Sequence, residues 1–144
     1  MQKVKLSSLP IFAKEVLAKL APKNTATIVA LRGDLGSGKT TFTQALAREL
    51  GITATVQSPT YILMRKYQIT NHKFQTLIHI DAYRLENPKE FAALRPEQFL
   101  KDPKTLVVVE WPEKVEGALP PADLTINFSS DGAKEGERYI EMQK

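Results

Sequence analysis

Residues 33–40 read GDLGSGKT, a match to G-x-x-x-x-G-K-[ST]. Three of the chain's seven glycines, Gly33, Gly36 and Gly38, fall here, between the apolar run TIVAL and the amphipathic segment TFTQALAREL. A strand before such a loop and a helix after it is the context in which the sequence cradles phosphate. Glycines let the backbone wrap until successive N–H groups point at phosphate oxygens, and the helix start adds its partial positive end. Lys39 would then reach the β- and γ-phosphates, and Thr40 would place its hydroxyl on Mg²⁺. A glycine-rich turn with no ligand is the competing interpretation, and the strand and helix on either side argue against it. The chemistry implied is that of a nucleoside triphosphate.

A phosphate loop needs a further acidic group to hold Mg²⁺ or to order the attacking water, and the end of an apolar strand is its usual place. LIHIDAYR puts Asp81 there, and TLVVVEWPE puts Glu110 there. Either carboxylate alone would pass as surface termination of a buried strand. Two beside one phosphate loop point to a magnesium ligand and a water-polarising group, with the assignment between them open. Ser58-Pro59-Thr60 reads on local grounds as a turn; the alternative makes Thr60 a switch-type residue that senses Mg²⁺ and γ-phosphate. His79 shares a strand face with Asp81, although a lone strand histidine is more often structural than catalytic. For Trp111, next to Glu110, a core role, stacking on a base and contact with a partner all remain open.

The elements that must position these groups alternate along the chain. Residues 3–7 suit a short strand. Ser8 is placed to cap a helix with the stripe Leu9, Phe12, Val16, Leu17 and Leu20. Thr25–Leu31 and Thr105–Val109 are β-branched runs of the kind buried in parallel sheets. A helix from about Lys39 to Leu50 stops at Gly51. Residues 61–70 and 74–80 read as strands around Asn71 and His72, and Asn87-Pro88-Lys89-Glu90 as a helix start. Leu124, Ile126 and Phe128 alternate with polar residues, and Arg138–Met142 suits a hairpin partner. The fold expected is a single α/β domain over residues 1–144: a sandwich with a mainly parallel central sheet, antiparallel additions and flanking helices.

Composition sets wider bounds. With 144 residues, 42% of them apolar, the chain is long enough for a substantial core. Cysteine is absent, which excludes disulfides and thiolate zinc sites. No apolar run approaches the roughly 18 residues that span a bilayer, and the start MQKVKLSSLP has no signal-peptide core, so the cytoplasm is expected. The net charge of +4 permits a polyanionic partner. Its 20 Lys and Arg are scattered, however, and charge alone does not point to RNA.

In series, GDLGSGKTTF, SPTY, HIDAYR and VVVEWPE resemble the bacterial TsaE (YjeE) family, over nearly the whole chain. The resemblance implies the fold of a P-loop NTPase and a P-loop ATPase activity using ATP and Mg²⁺, slow alone and stimulated by partners. It implies a role in forming threonylcarbamoyladenosine in tRNA, beside the anticodon. In such a system TsaC makes the activated intermediate and the TsaD partner, in complex with TsaB, transfers the group. This chain would bind the TsaB–TsaD pair, meet tRNA only through that complex, and hydrolyse ATP to reset it. The family's phosphate loop falls on Gly36, Ser37, Gly38, Lys39, Thr40 and Thr41, and its magnesium ligands on Thr40 and Glu110. Lys39, Thr60, Asp81 and Glu110 would carry catalysis, and Trp111 matches a tryptophan the family needs. Further nucleotide contacts would land around Leu9–Phe12 and on Arg138.

Two departures stand out. Ser37 replaces the loop's usual alanine, a small-for-small exchange. Arg95, followed by Pro96, aligns where the family often has glycine, which puts the local backbone in question. Rival functions fare less well. A small P-loop kinase would carry an arginine-bearing lid, whereas the segment between Arg84 and Lys104 holds only Arg95. A guanine-specific switch would carry N-K-x-D, which does not occur.

Overall fold

The computed structural model describes residues 2–54, 56, 63–70 and 72–144. Strand β2 (Thr27–Arg32) is buried over its first five positions. It has parallel neighbours on both sides, β5 (Thr105–Glu110) and β6 (Leu124–Ser129). Strand β4 (Thr76–Asp81) runs parallel along the far side of β5. A strand covered on both faces must be apolar throughout, which is what TIVAL and TLVVV supply. Antiparallel strands extend both edges. β7 (Glu137–Gln143) pairs with β6, β1 (Gln2–Lys5) with β7, and β3 (Met64–Gln68) with β4. The order is β1-β7-β6-β2-β5-β4-β3, the expected α/β sandwich with a parallel centre.

Side-chain alternation divides the core in two. On one face Val29, Leu31, Leu77, Leu106 and Val108 join residues of the helices α1 (Leu9–Ala18) and α2 (Lys39–Glu49). On the other, Ile28, Ala30, Ile78, Ile80, Val107 and Val109 pack with Phe91 of α3 (Pro88–Ala92), Phe99 of α4 (Glu97–Leu100) and Val115. Three aromatic rings bind the first layer together: Phe12 meets Phe42 at 5.6 Å between centroids, and Phe42 meets Phe128 at 5.7 Å. Each such pair contributes about 0.5–1.5 kcal/mol beyond burial, and together they hold α2 against the sheet directly below the phosphate-loop sequence.

Local signals act as expected in some places and differ in others. Asn87 Oδ1 accepts the Lys89 N–H at 2.9 Å and starts α3. Ser8 occupies the N-cap of α1 without a capping bond from its side chain. The strand expected over 3–7 ends at Lys5, because residues 6–8 form a 3₁₀ turn and the Leu6 N–H donates to Gly136 O. Of the strand expected over 61–70, residues 64–68 are strand; Tyr61 and Asn71 lie outside the described residues. Among the described residues no helix is long and apolar enough to cross a membrane.

Candidate active site

Register places the site. Leu31 of β2 lies beside Glu110 of β5, and Glu110 lies beside Asp81 of β4. The carboxyl ends of three parallel strands therefore line up, and ligands of such sheets bind just outside that edge. The phosphate-loop sequence leaves β2 there and feeds α2, whose N-cap Gly38 has φ 106°. A side chain at that angle would be strained. At Gly33 a Cβ would stand 2.6 Å from the Phe128 carbonyl oxygen and 2.7 Å from Ser37 Oγ, so close packing demands glycine there. A cavity of about 400 Å³ opens above, walled by residues 36–41, the two carboxylates, Tyr83, Arg84, Trp111 and Arg138.

Lys39, Asp81 and Glu110 are buried there. Lys39 Nζ donates to the Gly33 carbonyl and lies 3.8 Å from the centroid of the Trp111 ring. Burial pushes the Lys39 ammonium below the ordinary lysine value; Glu110 and then Asp81, with smaller help from Glu113 and Asp34, pull it back up. Glu110 accepts from the Thr40 hydroxyl, which is 3.3 and 3.4 Å from its two oxygens. Its Oε2 also stands 2.6 Å from His79 Nε2. Asp81 Oδ1 accepts the Tyr83 N–H at 3.0 Å, and the Tyr83 ring meets Trp111 at 5.1 Å. Trp111 itself has φ 60°, a left-handed conformation for a large side chain that precedes proline. Such strain is held by its surroundings and clusters at functional sites.

The fold thus brings Gly36, Ser37, Gly38, Lys39, Thr40, Thr41, Asp81, Glu110 and Arg138 to one cavity. Thr60 lies outside the described residues. Arg138 donates through Nε and Nη2 to the Gly36 carbonyl, at 3.2 and 3.1 Å, and so braces the loop from β7. Ser37 Oγ is buried with no partner among the described residues. Leu9 and Phe12 are core residues, and the cavity wall does not include them. Both belong to the apolar stripe that α1 buries.

Two links escaped the sequence reading. The His79–Glu110 bond joins residues 31 positions apart, and the Arg138–Gly36 bonds join residues 102 apart. A histidine two residues before an acid on one strand face was the available signal for the first.

The donor set suits magnesium and a triphosphate. Among the described residues no group of three or more His, Cys, Asp or Glu could hold a metal. Magnesium needs no such cage, since it keeps waters and binds through one or two carboxylates together with phosphate oxygens. Buried Glu110 paired with half-buried Thr40 matches that habit, and the buried ammonium of Lys39 beside the loop matches an anion.

A glycine-bearing loop that leaves a parallel strand for a helix, with lysine and threonine at the helix start and acids on the next strand ends, defines the phosphate-loop α/β class. Within that class, residues 6–140 match the family of the threonylcarbamoyl adenosine biosynthesis protein TsaE, and the chain belongs to it. The tRNA threonylcarbamoyladenosine biosynthesis protein TsaE of Haemophilus influenzae is 40% identical over 116 residues, 79% of this chain and 69% of that protein. Its namesake from Bacillus subtilis is 37% identical over 110 residues, 76% of this chain and 66% of that one. The matched segments therefore span about two thirds of those relatives. A crystal structure of Bacillus subtilis YdiB superposes with a TM-score of 0.67 at 29% identity, covering 96% of this chain and 80% of that one.

Proposed function

We propose that this chain is a magnesium-dependent ATPase serving the formation of threonylcarbamoyladenosine in tRNA, acting on a TsaB–TsaD pair without transferring the group itself. The observation that carries the ATPase reading is the convergence of Lys39, Thr40, Asp81 and Glu110 on one cavity at the carboxyl edge of the sheet. Family membership supports the pathway. The partner pair follows from the resemblance of the four motifs, as do the cytoplasmic setting and contact with tRNA only through the complex.

Each residue then has a task. Backbone N–H groups of residues 36–41 receive the phosphates. Lys39 gives up the Gly33 carbonyl and the Trp111 ring for the phosphate charge, which also offsets its burial. Thr40 and Glu110 hold Mg²⁺, and Arg138 keeps the loop in shape from behind. Asp81 orders the attacking water and accepts its proton, with Thr60 assigned beside it by the resemblance. Mg²⁺ held by Thr40 and Glu110 would neutralise the charge that develops on the phosphate during transfer. The kinase alternative needs a lid, but α3 and α4, which follow Arg84, pack their Phe91 and Phe99 onto the sheet.

Phosphate release from MgATP, by the chain alone and with a TsaB–TsaD pair, tests the reading. Slow release that rises sharply with the pair is the expected result. A rate indifferent to the pair sinks the partner assignment and leaves the ATP site. No release under either condition sinks the ATPase.

A further inference from the structure

Resting on that reading, and deepening it, the geometry points to His79 as the positioning residue that tells the two acidic groups apart. We infer that its imidazole pins Glu110 Oε2 and so makes Glu110, not Asp81, the carboxylate set for the metal beside Thr40.

The argument begins with parity. His79 and Asp81 share the α2 face of β4, while Glu110 ends the same face of β5. Asp81 stands level with Glu110, and His79 is level with Val108, one pleat back. The ring therefore reaches Glu110 on the diagonal through Nε2, while Asp81 Oδ1 accepts the Tyr83 N–H. The 2.6 Å contact is short and wholly buried: the side chains of His79 and Glu110 are 0% and 3% exposed. A carboxylate only accepts, so Nε2 carries the hydrogen. Nδ1 is buried and has no partner among the described residues.

A purely structural residue would not be built this way. An apolar side chain would fill the position without leaving one ring nitrogen unmet, and such unmet groups are costly. What the imidazole adds is orientation. Glu110 has a soft terminal torsion and shares its cavity with the Lys39 ammonium, toward which an unpinned carboxylate could turn. With Oε2 fixed by His79, the carboxylate is held facing the Thr40 hydroxyl, which stands 3.3 Å from Oε1 and 3.4 Å from Oε2. Hydrogen-bonded partners of this kind set the orientation of metal-holding carboxylates, and their loss typically lowers metal affinity about 10–100-fold.

The test uses the whole chain, a fluorescent ADP analogue and magnesium chloride. His79→Leu should raise the magnesium concentration needed for tight nucleotide binding about 10–100-fold, with metal-free nucleotide affinity unchanged. His79→Gln, whose amide can donate from nearly the Nε2 position, should restore much of the loss. An unmoved magnesium midpoint, or equal weakening of metal-free and metal-dependent binding, overturns the inference. Should His79→Leu fail to fold, ¹⁵N-histidine NMR of the wild type decides, since the chain has only two histidines. Magnesium added to the ADP-bound protein must shift the His79 Nε2 signal; a signal that stays put overturns the assignment. If wild-type binding of the analogue ignores magnesium altogether, the inference is overturned, whereas the ATPase reading fails only if phosphate release from MgATP is absent, which is a separate result.

Discussion

Strands β4 and β5 show two contrasting faces made from alternate residues of the same twelve positions. Toward α3 and α4 they present Ile78, Ile80, Val107 and Val109, all apolar and packed on Phe91. Toward α2 they begin in the same way, with Leu77, Leu106 and Val108. Over their last turns of pleat they change to His79, Asp81 and Glu110, still buried. Burying those groups costs stability unless each finds a partner, and the partners are what the site consists of. One face therefore supplies cohesion, and the other converts part of that cohesion into a set of oriented charges. A chain of ordinary size can carry such a site because both faces of its central strands are covered.

Breaking the polar face at its centre should give the largest effect. Lys39→Ala should lower phosphate release about 10²–10³-fold by removing the charge that stabilises the transferring group. Its melting temperature should hold or rise, because a buried cation is gone. Unchanged hydrolysis in that variant would remove the phosphate-loop reading.

The apolar face should respond in the opposite sense. Ile80→Val, one position from Asp81 but pointing away from it, should cost about 0.5–1.5 kcal/mol in urea unfolding and leave magnesium-nucleotide binding untouched. A binding defect without a stability loss would show that the two faces are not separable.

The smallest effect is expected where the chain bends between α3 and α4. Arg95 has φ 54°, a left-handed angle that glycine adopts without strain. Arg95→Gly should therefore stabilise the fold by about 0.5 kcal/mol, the relief of roughly 1–2 kcal/mol of strain being partly offset by glycine's greater freedom when unfolded. Urea midpoints would show it, and a destabilised variant would mean the guanidinium makes contacts that outweigh the strain. Trp111 has a similar angle at the other face, where the same exchange would remove the ring over Lys39.

This contrast also explains what could be read from the chain before any coordinates. The strands TIVAL and TLVVV, the helix stop at Gly51 and the phosphate loop are local: short patterns with one physical solution each. Strand ends at Asp81 and Glu110 were equally legible, since a carboxylate after an apolar run marks an edge. Pairings were not. That His79 touches Glu110 rather than Asp81 depends on the register between β4 and β5, which no spacing within either strand encodes. Arg138 reaches Gly36 only because β7 folds back beside β6. The placement around Leu9–Phe12 came from the resemblance alone, in a segment with no motif of its own; there the apolar stripe packs into the core, with Phe12 against Phe42.

The sheet order has a consequence for the life of the molecule as it is made. Strand β1 is translated well before its ladder partner β7, so Gln2 waits for Ile140. At translation speeds of about 5–20 residues per second, that wait is on the order of ten seconds. The arginine brace on the Gly36 carbonyl arrives with the same strand. A ribosome holding a half-made chain thus carries a glycine loop without its arginine brace, and the proposed nucleotide site is complete only once β7 has been made.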